Sequence, residues 1–270
     1  MPSLPQELIN DIIDHVDSWS ERPLQSCSLV CSQWSTRSRK RLFEQVELSS
    51  QTDLEHWCAS IRPGPSGPSS FVEDLSLVDS HLSMSMPIGT SWFQLSILSN
   101  AAPHLQSFSG LRALRIMGWD TAAAPVSLML HYFGPHSENV TRLTLQRMFI
   151  RTSALVAFVS RFPHLQYLFI STIERPRKTD GIGNLDYESH GRIVPTHPRG
   201  EFTAFDLTRF SKPEEFFRGI ALLEPRFRQI KYVRYDLWRS FWPIVEACAG
   251  LLEELEIRAT SIGELTHLDP

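Results

Sequence analysis

The sequence predicts a mixed α/β fold in which a short helical region precedes alternating parallel strands and helices. Apolar residues first recur at helical spacing and later in short strand-like triplets, and amphipathic stretches separate these triplets. The chain has 270 residues, of which 42% are hydrophobic. This is enough apolar material for one large domain or two ordinary ones.

The segment 3–43 predicts three short helices. In the first of them, Leu8 and Ile12 share one helical face, and Ile9 and Ile13 lie just beside that face. Apolar residues therefore lie around much of the circumference of this helix. We expect its own domain to cover one side and a second surface to cover the other.

After the helical region, an apolar-x-x-apolar-x-apolar template recurs at irregular spacing. Its matches are Phe43/Val46/Leu48, Val72/Leu75/Leu77, Leu111/Leu114/Ile116, Val140/Leu143/Leu145, Leu165/Leu168/Ile170, Phe202/Phe205/Leu207, Ile230/Val233/Tyr235 and Leu252/Leu255/Ile257. Amphipathic helices are predicted between several triplets, with Ser153, Ser211 and Ser240 at their starts. Alternating strand and helix units that cannot bury their apolar sides alone are typical of an irregular leucine-rich-repeat solenoid.

These patterns divide the chain into two parts. We expect a three-helix domain over residues 1–45, followed by a leucine-rich-repeat-like solenoid over residues 46–270. Its parallel strands should carry helices on the outer face. A stretch at about 174–200 has few apolar residues and several glycines and prolines, which predicts a surface insertion loop.

Two motifs mark the ends of the helical part. Leu4-Pro5-Gln6-Glu7 opens it, and Val30-Cys31-Ser32-Gln33-Trp34 lies towards its end. In this order and at this distance they resemble the F-box, whose pattern starts with Leu-Pro-x-Glu and later has Val-Cys-x-x-Trp. The resemblance implies binding to a Skp-type adaptor, and through it to a cullin and a RING ubiquitin ligase. The following repeats look like those of leucine-rich F-box proteins.

The resemblance assigns adaptor binding to the two motifs and to the apolar helix between them. These residues are Leu4, Pro5, Glu7, Leu8, Ile9, Ile12, Ile13, Val30, Cys31 and Trp34. A small helical trio with surplus apolar surface agrees with this use, because such a surface needs a protein partner. The alternative is that the apolar residues of the set simply pack on the repeats.

A row of candidate target-binding residues follows from strand geometry. Side chains alternate along a strand, so the residue between the last two apolar positions of each triplet points away from the core. This row is Ser76, Arg115, Thr144, Phe169, Asp206, Arg234 and Glu256. Phe169 is a candidate interface anchor because it is aromatic, and the alternative is that the insertion loop covers it.

Charge and cysteine content exclude several classes of partner. The net charge of -4 argues against nucleic acid. The sequence has no apolar window long enough for a membrane span, and its first residues lack a secretory pattern. Four cysteines are too few for a disulfide scaffold. We therefore expect a reducing compartment, cytoplasmic or nuclear.

No catalytic or metal-binding motif is visible, so we expect neither enzymatic activity nor a cofactor. Cys27 and Cys31 are four residues apart and predict a shared helix face, but His15 is their only nearby ligand candidate. The resulting hypothesis is a substrate-recognition subunit of a Skp-cullin-F-box E3 ubiquitin ligase. The alternative is a leucine-rich-repeat interaction scaffold without a ubiquitin-ligase role.

Overall fold

The structure is a computed structural model and describes residues 4–16, 21–62, 67–79, 92, 94–121, 124–174, 201–205, 213–222, 227–232 and 238–257. Three helices come first, as the sequence predicts: α1 (Gln6–Asp14), α2 (Glu21–Val30) and α3 (Ser32–Glu44). The later α-helices are α4 (Gln51–Ser60), α5 (Leu95–Asn100), α6 (Ala102–Leu105), α7 (Val126–Phe133), α8 (Thr152–Val159), α9 (Pro213–Ala221) and α10 (Trp238–Cys248). Short 3₁₀ helices span Pro68–Phe71 and Gly134–His136.

The strands follow one another in the sheet in the order in which they occur in the chain. They are β1 (Gln45–Leu48), β2 (Asp74–Val78), β3 (Ala113–Met117), β4 (Arg142–Phe149), β5 (Tyr167–Glu174), β6 (Glu201–Phe205), β7 (Gln229–Tyr232) and β8 (Glu254–Ile257). Every neighbouring pair is parallel. The fold is therefore mixed α/β, with N-terminal helices leading into a parallel sheet.

Residues along each strand alternate between a buried side and a more open side of the sheet. On the buried side of β2 to β5, each residue is at most 1% exposed: Leu75, Leu77, Leu114, Ile116, Leu143, Leu145, Leu168 and Ile170. Helical residues, among them Leu98, Phe133 and Phe158, belong to the same core cluster. Since a fully buried side chain of this size contributes about 1.5 to 3 kcal/mol, this interface is a major source of stability. We call the opposite side the open face, and it carries residues 74, 76, 113, 115, 142, 144, 167 and 169.

Aromatic contacts connect one strand–helix unit to the next. The ring of Phe158 on α8 lies 5.2 Å from that of Trp119, which follows β3, and 5.2 Å from that of Phe162. Further along, Phe217 on α9 meets Phe241 on α10 at 5.1 Å. These edge-to-face pairs fill the core between successive helices and fix their spacing.

A Pro-His pair precedes three of the strands: Pro103-His104 in α6, Pro135-His136 in the second 3₁₀ helix and Pro163-His164 in a turn. The His104 ring hydrogen-bonds to the backbone of Ile61, and the His136 ring to the backbone of Leu105 and Gln106. Each ring thus reaches back to the turn of the preceding unit. Burial lowers the pKa of both histidines, although their backbone hydrogen bonds act in the opposite direction.

His136 is 5% exposed, and we expect it to make stability depend on pH. Burial holds its pKa below the ordinary value of about 6.5, so on acidification the unfolded chain takes up a proton before the folded chain does. The free energy of unfolding should fall as pH drops from 7.5 towards 5.5. Urea unfolding across this range should show a smaller drop in His136→Gln. An equal drop in both proteins would contradict the prediction.

The predicted helix starts differ from those in the structure. Helix α8 begins at Thr152, so Ser153 lies inside its first turn instead of before it, and Ser240 likewise lies within α10. Packing of the apolar face decides where these helices begin, and a short polar side chain is tolerated in a first turn. Ser211 and residues 175–200, which include most of the predicted insertion, lie outside the described residues.

Candidate functional site

Helix α1 has two apolar sides with different surroundings. Ile9 and Ile13 are 1% and 0% exposed, whereas Leu8 and Ile12 are 49% and 45% exposed. Leu4, ahead of the helix, is 51% exposed. Residues four apart lie on one stripe of a helix, and the next residue along the chain is turned by about 100°. The protein therefore buries one stripe of α1 and leaves its neighbouring stripe in solvent.

The buried stripe belongs to a small core within the three helices. Ile9, Ile13 and Leu24 form its centre, and Trp34 and Leu42 are partly buried against it. Ile9 and Ile13 are thus unable to touch a partner directly, which corrects their assignment as contact residues. Trp34 is half-buried, so its main role here is packing.

The end of α2 exposes two further large apolar side chains. Leu29 is 84% exposed and Val30 is 63% exposed. Val30 was predicted as a binding residue, but Leu29 was not. Nothing in the sequence singled out Leu29 beyond its position next to Val30 on the same helix. We call Leu4, Leu8, Ile12, Leu29 and Val30 the exposed apolar set.

The remaining members of the predicted adaptor site are polar or small. Pro5 is the residue that precedes α1, and Glu7 is exposed in the first helical turn. Cys31 is exposed and extended, with φ −164° and ψ 175°, between α2 and α3. It therefore shares no helix face with Cys27, which corrects that prediction. Among the described residues, no group of three His, Cys, Asp or Glu is placed to hold a metal ion.

Ion pairs hold α1 against α3. The Arg37 guanidinium donates to Asp14 with an Nε–Oδ1 distance of 2.7 Å, and the Arg41 Nε lies 4.0 Å from the same carboxylate oxygen. The hydrogen bond from Arg37 lowers the pKa of Asp14 below its ordinary value. Arg41 also pairs with Glu44 at 2.7 Å. Arg37 and Arg41, two of the four basic residues of α3, thus connect α3 to α1.

The three helices are also fixed to the sheet. Helix α3 ends at Glu44 and β1 begins at the next residue, so no loop separates them. Lys40 pairs with Glu73 at 3.2 Å, just ahead of β2. Ser38 on α3 and Ser69 in the first 3₁₀ helix are both fully buried, and these two elements are in contact.

The register of the sheet tests the predicted row on the open face. Ser76, Arg115, Thr144 and Phe169 pair with one another across β2, β3, β4 and β5, as strand alternation predicts. All four are partly buried. Arg115 donates to the Gln146 side-chain oxygen from both Nη2, at 2.9 Å, and Nε, at 3.3 Å.

Beyond β5 the row differs from the predicted one in β6 and β7 and agrees with it again at Glu256 in β8. Phe169 pairs with Thr203, Thr203 with Lys231, and Lys231 with Glu256, which is partly buried. Thr203 and Lys231 therefore stand in the register positions predicted for Asp206 and Arg234, which lie outside the described residues. The predicted frame is wrong by three residues in β6 and β7. The cause is that Phe202 and Ile230 are the second apolar positions of their units and were taken as the first.

Comparison with protein families identifies an F-box domain at residues 1–45, the region that contains α1, α2 and α3. F-box domains typically bind Skp-type adaptors in cullin-RING ligases. Comparison with curated proteins gives no match. Within the part of the chain that the structure describes, no helix is long and apolar enough to cross a membrane.

Proposed function

We propose that this protein is the substrate-recognition subunit of a Skp-cullin-F-box E3 ubiquitin ligase. The observation that carries the proposal is the exposed apolar set inside the region matched as an F-box. Five large apolar side chains in solvent are costly, since burying each contributes about 1.5 to 3 kcal/mol. An adaptor that covers them gains this free energy as binding energy.

The rest of the chain is proposed to be a leucine-rich-repeat-like solenoid that holds a target protein on its open face. Parallel strands in chain order, with described helices packed on the buried side of the sheet, support this interpretation. The subunit makes and breaks no bond itself. It raises the effective concentration of a target lysine near a ubiquitin-charged enzyme held elsewhere in the complex.

A reducing compartment, cytoplasmic or nuclear, suits this role. None of the four cysteines, all of which the structure describes, forms a disulfide, and three of them are at least partly buried, among them Cys58 and Cys248. Burial raises the pKa of both of these thiols, which keeps them protonated and unreactive. We propose a protein partner rather than nucleic acid or a membrane, in line with the net charge of -4.

Reconstitution with purified components tests the proposal. The full chain is mixed with a Skp-type adaptor and a cullin–RING pair, and complexes are separated by size-exclusion chromatography. We expect one species that contains all four proteins. A species with adaptor but no cullin would favour a leucine-rich-repeat scaffold without a ubiquitin-ligase role. Failure to bind the adaptor at all would overturn the proposal.

A further inference from the structure

The open face brings two arginines and two aromatic residues together on three adjacent strands. Arg142 on β4 pairs with Ala113 on one side and with Tyr167 on the other. Two residues further along, Thr144 pairs with Arg115 and Phe169. Neighbouring strands lie about 5 Å apart, so Arg142 has Tyr167 directly beside it, with Arg115 and Phe169 on its two diagonals.

One of the two guanidinium groups is held in place and the other is open to solvent. The Gln146 side chain accepts two hydrogen bonds from Arg115, which fixes the plane of that guanidinium. Arg142 is exposed. A planar guanidinium binds a carboxylate or a phosphate through two parallel hydrogen bonds, and a fixed one loses less entropy on binding.

A carboxylate on the neighbouring strand balances only part of this charge. Asp74 lies beside Ala113 on β2, and both Arg115 and Arg142 act on it electrostatically. Burial raises the pKa of Asp74, while the two arginines act in the opposite direction. Further carboxylates lie close by, since Glu138 lines the same cavity as Arg142 and Tyr167, and Glu201 occupies the register position beside Tyr167 on β6.

Aromatic surface adjoins the arginines on the side away from Asp74. Tyr167 is 46% exposed and lies directly beside Arg142. Phe169, the next residue on this face of β5, is partly buried. An exposed tyrosine beside an arginine is the composition enriched in the parts of protein interfaces that contribute most binding energy.

We propose that the open face binds an extended segment of the target in which an acidic group lies two residues from an apolar side chain. The acidic group, a carboxylate or a phosphate, would pair with Arg142 and Arg115, and the apolar side chain would pack on Tyr167. Alternate residues of an extended chain are about 6.6 Å apart, which lies between the step of about 5 Å from the strand of Arg142 to β5 and the step of about 10 Å from the strand of Arg115 to β5. This inference rests on the proposed function, because it names the class of target.

A randomised library of displayed seven-residue peptides, selected on the full chain, tests the inference. We expect the selected peptides to carry Asp or Glu two residues from an aromatic or branched apolar residue. In fluorescence anisotropy, Arg142→Gln should weaken binding of a selected peptide at least about tenfold, and changing the peptide's acid to its amide should have the same effect. Tyr167→Ser should also weaken binding.

Arg218→Gln is the matched control, because it removes the same charge from an exposed position on α9. Its affinity for the peptides should equal that of the unmodified chain. Selected peptides without acidic residues, or equal binding by Arg142→Gln, would overturn the inference. A phosphoserine version of each peptide separates the two sources of negative charge, since tighter binding indicates phosphorylated targets and weaker binding indicates carboxylates.

Adaptor binding is measured on the same protein samples, so that the two proposals fail separately. If the adaptor binds and no acidic peptide is selected, the inference about the open face is wrong and the proposed function stands. Loss of adaptor binding by the unmodified chain overturns the proposed function whatever the peptides do. Thermal unfolding of each variant confirms that the change in binding does not come from misfolding.

Discussion

Replacing Leu8 and Ile12 together with aspartate should abolish binding to a Skp-type adaptor. Both side chains are nearly half exposed on α1, so the substitutions leave the core formed by Ile9 and Ile13 intact. Each apolar side chain contributes about 1.5 to 3 kcal/mol when covered, and a buried unpaired carboxylate adds a further cost. The expected loss of affinity is at least about a hundredfold, measurable by isothermal titration calorimetry.

The matched control is the double variant Thr52→Asp and His56→Asp. These residues are also four apart on an exposed helix face, but they lie on α4, outside the three N-terminal helices. The control should bind the adaptor like the unmodified chain. Adaptor binding that persists in a folded Leu8→Asp, Ile12→Asp protein would contradict the assignment of this surface.

Phe158→Ala should cause the largest loss of stability. This side chain is fully buried, and its ring contacts Trp119 and Phe162 at 5.2 Å. Truncation removes both edge-to-face contacts and leaves a cavity in the core that joins neighbouring units. Phenylalanine-to-alanine changes in such cores typically cost about 3 to 5 kcal/mol, which chemical denaturation can measure.

Leu29→Ala provides the comparison for this experiment. Leu29 is 84% exposed, so its truncation removes apolar surface without opening a cavity. Its effect on the free energy of unfolding should stay within about 0.5 kcal/mol. Equal effects of the two substitutions would mean that the core around Phe158 is not packed as described.

Local sequence patterns were sufficient to predict the class of fold. The N-terminal helices follow from apolar residues at helical spacing, and the strands from short apolar triplets whose buried members, such as Leu75 and Leu77, fill the core. Both patterns act over a few residues, so a single sequence contains them. The parallel order of strands followed because helices were predicted between them.

Register and helix boundaries were harder to predict because they depend on distant partners. The apolar template also fits Phe227/Ile230/Tyr232, but the frame in register at Phe202 starts at Arg199, which is not apolar. Only pairing with β5 and β6 shows that Thr203 and Lys231 belong to the row. Nothing within a strand's own sequence fixes which residue of the neighbouring strand it meets. The predicted starts of α8 and α10 were wrong for a related reason. Packing of each helix against the core outweighs the preference of serine for the position just before a helix.

The division of α1 into a buried side and an exposed side was predicted in part. Apolar residues lie around much of the circumference of α1, which indicated that two of its sides are covered. This pattern did not show which residues face the core of the three helices. That choice depends on how α1 is rotated against α3, and the structure answers it by burying Ile9 and Ile13 and leaving Leu8 and Ile12 exposed. Leu29 was not predicted as a binding residue, because the F-box motif includes its neighbour Val30 but not Leu29 itself.

Helix α3 continues into β1 without a loop, so the number of residues in α3 determines the direction in which the exposed apolar set points. Each residue of an α-helix adds a rotation of about 100° and a rise of about 1.5 Å. One residue inserted in α3 before Lys40, with that side chain still paired to Glu73, would swing α1 and α2 by this rotation about the α3 axis. An adaptor docked there would then approach the sheet from a different side. The length of α3, to the single residue, therefore sets the direction of the proposed adaptor-binding surface relative to the open face of the sheet.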